Sequence, residues 1–292
     1  MAGIIWLASY PKSGNTWLRA FLHNLMRNAT APIEPNRLNE LTLGDGMVRF
    51  FAPHAKGRAT TEMPAAEIAA LRAPVQRDLA RSSRDSVLVK THNWLGLDSG
   101  HPCIDMSVTS GAIYVVRNPL DVAPSLADHF GLDLDQAIAQ MADPEARTAN
   151  LKHRVPDVMS SWSNHVRSWT GEANPRLHVM RYEDMLARPL PSFSRLTRFL
   201  GLPATPERIE RAVRFSSFQT LKEMEARQGF VERSSHSKAF FRAGQAGHWR
   251  QTLTPEQVRR ICADHREQMR RFGYWPLPAA DRARFGIARD EE

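Results

Sequence analysis

The chain has 292 residues, 42% of them hydrophobic and 24% charged, which is enough apolar material to bury a sizeable core in one α/β domain spanning residues 1–292. Its two cysteines, Cys103 and Cys262, lie far apart with no C-x-x-C or Cys/His ligand spacing, so neither a disulfide framework nor a zinc site is indicated and a reducing compartment is expected. Lys plus Arg number 39 against 31 Asp plus Glu, a formal charge of +8 that suits nucleic acid, an anionic membrane surface or an anionic cofactor; no helix-turn-helix, zinc-finger or RNP-like signature accompanies it, so nucleic-acid binding would rest on charge alone.

Ile4, Ile5, Trp6, Leu7 and Ala8 form a continuous apolar run of strand length, and Trp17, Leu18, Phe21, Leu22, Leu25 and Met26 then recur on one helix face. The loop between them holds Pro11, Lys12, Ser13 and Gly14, so free N–H groups gather at a helix start, where the macrodipole favours an anion such as phosphate. The nucleotide loop G-x-x-x-x-G-K-[ST] is absent, because a single Gly follows the Lys and none precedes it. The start of the chain lacks the charged region and cleavage site of a signal peptide, and no apolar run reaches membrane-spanning length, so a soluble cytoplasmic protein without a transmembrane segment is expected.

Residues 32–61 are rich in turn formers and carry Met47, Val48, Phe50 and Phe51, a long loop that reads as a lid or acceptor wall. Residues 61–81 read as a helix with Pro64 in its first turn, an apolar stripe of Ile68, Leu71, Val75 and Leu79, and a kink at Pro74. Val87 to Val89 read as a buried strand that delivers Lys90 and His92 beyond its carboxyl end, where ligands sit in open parallel sheets. Ile113 to Val116 form another strand, followed by a helix with Asn118 as N-cap and Pro119 as first residue; Arg117 and Ser125, two turns along, can address one anion. Helices are expected over residues 132–141, 158–169, 193–200, 206–213 and 255–272, and residues 177–185 read as a short strand followed by an acidic helix start. Residues 226–247 turn polar and glycine-punctuated, which predicts a long mobile excursion.

Tyr10-Pro11-Lys12-Ser13-Gly14-Asn15-Thr16-Trp17 resembles the 5′-phosphosulfate loop of the cytosolic-type sulfotransferases, with Asn15 where the family usually has Thr. Lys90-Thr91-His92 resembles the family's K-T-H segment, and the run from Arg117 to Ser125 is similar to its 3′-phosphate segment R-N-x-x-D-V-x-x-S at every fixed position. Tyr182-Glu183-Asp184-Met185 resembles Y-E-D-[ML], and Ser216 with Phe218 resembles the short adenine segment. Arg242-Ala243-Gly244 through Arg250 resembles the closing loop R-K-G-x-x-G-D-W-K, with Ala243 replacing Lys, His248 replacing Asp and Arg250 replacing the last Lys. The segments follow the family's order along most of the chain.

The resemblance implies transfer of a sulfuryl group from 3′-phosphoadenosine 5′-phosphosulfate (PAPS) to a small-molecule, lipid or carbohydrate hydroxyl acceptor, with an alcohol or phenol preferred, by in-line attack, on a P-loop-like α/β fold with a central, mainly parallel sheet flanked by helices. By the same resemblance His92 is the general base, Lys12 and Lys90 are the other catalytic residues, and no metal is needed. The cofactor residues it implies are Lys12, Ser13, Gly14, Asn15, Thr16 and Trp17 in the first loop, Arg117, Ser125, Tyr182, Ser216 and Phe218 further on, and Arg242, Ala243 and Gly244 in the closing loop. Glu183 and Asp184 are read as stabilising their own turn. Two rival readings are a nucleotide kinase, which would need magnesium ligands, and a non-catalytic anion- or nucleic-acid-binding module, which would not need Lys90-Thr91-His92. The oligomeric state is open, because the family's dimer motif K-x-x-x-T-V-x-x-x-E is altered here at Arg250, Pro255 and Arg259.

Overall fold

The computed structural model describes residues 3–242 and 244–287. In chain order the elements are β1 (Ile4–Ser9), α1 (Asn15–Met26), β2 (Thr42–Gly44), α2 (Val48–Phe51), α3 (Ala65–Arg81), β3 (Val87–Thr91), the two strands of a small ribbon, β4 (Leu97–Asp98) and β5 (His101–Pro102), and β6 (Thr109–Val116). There follow α4 (Pro119–Phe130), α5 (Leu134–Ala142), α6 (Trp162–Thr170), β7 (Leu177–Arg181), α7 (Tyr182–Ala187), α8 (Pro189–Phe199), α9 (Pro206–Phe215), α10 (Phe218–Gln228), α11 (Trp249–Thr252), α12 (Pro255–Arg271) and α13 (Ala279–Phe285).

The main sheet has the order β2-β3-β1-β6-β7 with every neighbouring pair parallel, in registers such as Trp6 opposite Val89 and Leu7 opposite Ile113. Burial on both faces explains the unbroken apolar runs of its central strands. Side chains alternate between two cores: Trp6, Ala8, Val87, Val89, Tyr114 and Val116 face α3, α4, α6 and α12, whereas Leu7, Leu88, Ile113 and Val115 face α1, α8 and α9. Leu18, Phe21 and Leu22 are fully buried in the second core, each contributing about 1.5–3 kcal/mol of apolar burial. After β1 the chain crosses to β2 at one edge and comes back through β3 beside β1, then passes to the other side as β6 and β7. The strand order therefore reverses at β1, and a crevice is expected beyond its carboxyl end.

The α/β reading with a parallel sheet holds, and several elements differ in extent. Residues 32–61 contain β2, three residues that pair with β3 and are too short to show a periodicity. Phe51, expected on an exposed loop, is buried. Helix α6 starts at Trp162 rather than at 158, because Ser161 caps it by accepting from Asn164 N, while Val158 N is already committed to Asn93 Oδ1 at 2.7 Å. Helix α3 starts at Ala65 after Pro64, and α10, capped by Ser217, continues to Gln228 inside the stretch expected to be irregular. That stretch is packed: Phe230 and Phe241 join Ala20, Leu38 and Leu221, and the amides of Phe240 and Phe241 donate to the Glu225 carboxylate at 2.7 and 2.9 Å.

Candidate functional site

The loop from Tyr10 to Gly14 carries the chain out of β1 and into α1. Lys12 (φ 66°) and Gly14 (φ 105°) both take left-handed backbone. At Gly14 a Cβ would also lie 2.7 Å from the Tyr182 ring, so only glycine fits. Asn15 Nδ2 donates back to Leu7 O at 2.8 Å and Ser9 Oγ at 3.3 Å, tying the helix start to the strand it leaves. Arg117, at the end of β6, donates from Nη1 to Lys12 O at 2.9 Å and lies 4.4 Å over the Tyr182 ring. Ser13 Oγ and Arg117 Nε are buried with no partner among the described residues. Leaving such donors unpaired costs about 1–3 kcal/mol each, and a phosphate would satisfy them. Lys12 Nζ sits 4.2 Å from the centroid of Phe240 and 3.5 Å from His129 Nδ1. Burial, then the neighbouring Arg117, pushes its ammonium down to about 8.

At the end of β3 a buried network fixes the chain around His92. Asp45 Oδ2 accepts from Thr91 Oγ1 at 2.6 Å and Asn93 Nδ2 at 2.8 Å, and Asn93 Oδ1 takes Val158 N. Burial and the nearby Asp157 raise the Asp45 carboxyl. Burial also acts to raise Asp157, but Arg154, bound to it at 2.8 Å, outweighs that and holds it low. His165 Nε2 reaches His92 O at 3.2 Å and receives the Tyr114 hydroxyl at Nδ1, 2.8 Å away. His92 Nδ1 stands 2.8 Å from Ser9 O. A carbonyl can only accept, so Nδ1 carries the hydrogen and Nε2 keeps a free lone pair. Burial, then Lys90, pushes the imidazolium of His92 down to about 3, which keeps the ring neutral.

Both strand ends open into one cavity of about 850 Å³. Its wall includes Lys12, Gly14, Asn15, Thr16 and Trp17 from the first loop and helix, Lys90 and His92 from the end of β3, and Arg117, Ser125, Tyr182, Phe218, Arg242 and Gly244 from elsewhere. The expected site residues thus meet from six separate parts of the chain, at the crevice the topology provides. Gly44 and Met47 from residues 32–61 also border it. A side chain at Gly244 would run into Phe218, its Cβ lying 2.3 Å from the ring. Arg242 pairs with Asp128 at 3.3 Å.

Other expected residues do not face the cavity. Ser216 is fully buried at the end of α9, and its hydroxyl donates back to Ala212 O at 2.8 Å rather than towards a ligand. Ser13 is buried in the loop rather than on the cavity wall. Ala243 lies outside the described residues. His54, in the long loop, pairs with Asp78 at 2.8 Å, away from the cavity. Glu183, read as a local turn stabiliser, instead accepts from Asn118 N at 3.0 Å and the Tyr274 hydroxyl at 2.7 Å, joining α7 to the start of α4.

Sequence reasoning missed His129, Asp121, Arg154, Asp157 and Glu232. His129 follows Ser125 by four residues on α4, so helical spacing alone would have placed it beside the site. Asp121 accepts from Gly247 N at 2.7 Å and Trp249 N at 3.1 Å, anchoring the end of the closing segment on the helix that carries Ser125. Glu232 binds Arg19 Nη1 at 2.7 Å and Lys90 Nζ at 3.2 Å. It lies in a polar stretch with no periodicity, and nothing in the sequence marks it.

The arrangement offers a neutral base, an anion cradle and several cations converging on one space, as transfer of an anionic group to a protic nucleophile requires. Among the described residues no group of three or more His, Cys, Asp or Glu side chains could hold a metal, and no helix is long and apolar enough to cross a membrane.

Comparison with known proteins agrees in kind. A sulfotransferase domain profile matches residues 3–273. Cytosolic sulfotransferase 16 of Arabidopsis thaliana is 30% identical over 270 residues, covering 87% of this chain and 72% of its own. Flavonol 3-sulfotransferase of Flaveria bidentis is 25% identical, covering 88% and 78%. Among solved structures, mouse sulfotransferase SULT7A1 complexed with PAP superposes with a TM-score of 0.60 at 21% identity, covering 92% of this chain and 84% of that one, a likeness of fold.

Proposed function

Because the chain belongs to the sulfotransferase domain family and is a PAPS-dependent sulfotransferase, we propose that it passes the sulfuryl group to an alcohol or phenol hydroxyl, with His92 as the base. The observation that carries this reading is the Nδ1 bond from His92 to Ser9 O, which leaves Nε2 unprotonated in the same cavity as Lys12, Lys90 and Arg117. PAPS supplies the sulfuryl group and a bisphosphate leaving group. Lys12 and the N–H groups at the start of α1 hold the 5′ side, and Trp17 and Tyr182 flank the adenine. Arg117, Ser125 and Arg242 hold the 3′-phosphate, with Gly244 beside it. Nε2 of His92 takes the acceptor proton as the oxygen attacks in line with the departing phosphate, and Lys90 steadies the sulfuryl oxygens. The reading is of one cytoplasmic domain acting on a small-molecule hydroxyl, with no metal in the reaction.

Incubating the protein with PAPS and pooled alcohols and phenols, then measuring product masses, tests the acceptor class: a product 80 mass units heavier than an alcohol or phenol is expected, by sulfuryl-for-proton exchange (about 80, by the chemistry of group transfer). Absence of any sulfated hydroxyl product overturns it. Calorimetry tests the nucleotide side, because adenosine 3′,5′-bisphosphate should bind at least about tenfold more tightly than AMP if three donors address the 3′-phosphate. Equal affinity would remove the assignment of Arg117, Ser125 and Arg242.

A further inference from the structure

Arg19 lies on α1 with no solvent exposure. Its Nε donates to Thr42 Oγ1 at 2.8 Å and its Nη2 to Asn39 Oδ1 at 3.0 Å, both neutral partners. Its ion pair, and that of Lys90, go to one carboxylate, Glu232. A buried cation and a half-buried one thus share one counter-ion, and leaving either without it would be costly. Glu232 is itself held in place: Phe230 before it and Phe241 after it pack against Ala20 and Leu38, and the amides of Phe240 and Phe241 are fixed on Glu225. Lys90 and His92 stand two residues apart at the end of β3, so the carboxylate reaches the ammonium beside the base.

We propose that Glu232 is a positioning residue of the transfer step: anchored by Arg19, its carboxylate holds the side chain of Lys90 as an ammonium beside His92, ready to receive the sulfuryl oxygens. The proposal rests on the reading of the cavity as a sulfuryl-transfer centre. The charged groups around Lys90 support it. Arg19 on α1, Arg154 ahead of α6 and Lys12 in the first loop are cations, and Asp157 is chelated by Arg154; His92 and His129 are held neutral. Burial lowers the Lys90 ammonium and Glu232 opposes that loss more than any other group, so removing the carboxylate's charge leaves burial and the neighbouring cations opposed by the weaker effect of Asp157. Glu232 itself stays ionised, because Lys90 and Arg19 overcome the effect of its burial.

The test is Glu232→Gln in the full chain, with Lys90→Arg to assign the signal. The side-chain ¹⁵N shift of Lys90 followed against pH should show its titration moving down by about one pH unit or more, a tenfold change in the protonation equilibrium. With PAPS and 2-naphthol as the acceptor probe, the alkaline limb of kcat should move down with it. On the alkaline side of the parent's limb, turnover should then fall by about tenfold for each pH unit the titration moves, while the KM for PAPS changes less than about threefold. Glu232→Asp, which keeps the charge, should restore most of the titration and of the limb. An unmoved Lys90 titration overturns the proposal. So does a titration that moves while the alkaline limb stays, since Glu232 would then only pin the segment down. If Glu232→Gln does not fold, Glu232→Ala, which also removes the charge, carries the same test, and a titration and limb identical to the parent's overturn it. Failure of the unaltered protein to sulfate any phenol would count against the acceptor reading, while the titration still decides the pairing.

Discussion

A histidine serves as a base only while its ring is unprotonated, and His92 meets that condition through burial and the adjacent Lys90 rather than through an acidic partner. Held down to about 3, it should give no acid limb in kcat/KM between pH 5.5 and 7.5, a window in which an ordinary histidine would titrate near 6.5. A pH–rate profile showing a limb near 6.5 would mean that another group is the base. His92→Ala should lower kcat by about 10²–10⁴-fold with bisphosphate affinity changed by no more than a few-fold, as single-turnover rates and calorimetry would show. Lys12 behaves differently, because its ammonium has been pushed down to about 8 in the free protein. An anion bound beside it raises that value. Affinity for adenosine 3′,5′-bisphosphate is therefore full below pH 8 and declines as pH rises above it, and binding near pH 8.5 takes up a proton. Calorimetry in buffers of different ionisation enthalpy should register that uptake, and Lys12→Met should abolish it.

At the scale of elements, the closing segment is organised from α4. One carboxylate, Asp121, takes the amides of Gly247 and Trp249, so the helix that presents Ser125 also fixes the end of the stretch bearing Arg242. Trp249 is buried against Phe285 of α13, which couples this anchor to the far end of the described chain. Asp121→Ala leaves two amides without their acceptor and should cost about 1–3 kcal/mol of stability. It should also speed hydrogen exchange over residues 244–249 and weaken bisphosphate binding several-fold. Loss of stability with unaltered bisphosphate affinity would separate the anchor from the nucleotide site. The element reading also explains why residues 226–247 look irregular yet are packed. Their fixed points are carboxylate–amide bonds and three phenylalanines, which leave no period in the sequence.

For the whole molecule, burial holds several histidines neutral: His92 and His165 are pushed down to about 3, His129 and His265 to about 4. In the unfolded chain each titrates near 6.5, so below that pH the unfolded state binds more protons than the native state. Stability is full above about 6.5 and falls as pH drops towards 4, by about 1.4 kcal/mol per pH unit for each histidine that stays neutral. Urea midpoints at pH 7.0, 5.5 and 4.5 should fall in that order. A midpoint unchanged from 7.0 to 4.5 would show that these rings protonate in the native state. Bound bisphosphate should raise the melting temperature at every pH, by mass action on the native state.

The parts of the site readable in advance are those in which a few consecutive residues carry both structure and chemistry. The apolar run of β1 leads within a short loop to Lys12 and the helix start, β3 ends in Lys90 and His92, and β6 passes directly to Arg117 and, two turns on, Ser125. Strand and helix periodicities mark such units, and the chemistry rides at their ends. Ser216 shows the limit of that reading: its place in a motif said nothing of which way its hydroxyl points, and the fold turns it onto Ala212. Glu232, Arg19 and Lys90 show it more fully, since partners 213 and 142 residues apart are brought together only when the segment after α10 folds across the sheet. The sequence determined which residues could bind an anion and abstract a proton, because those properties belong to side chains and their immediate neighbours. The tertiary structure decided which carboxylate meets which cation and which polar groups are left without a partner, because burial and counter-ion distance are set by the path of the whole chain.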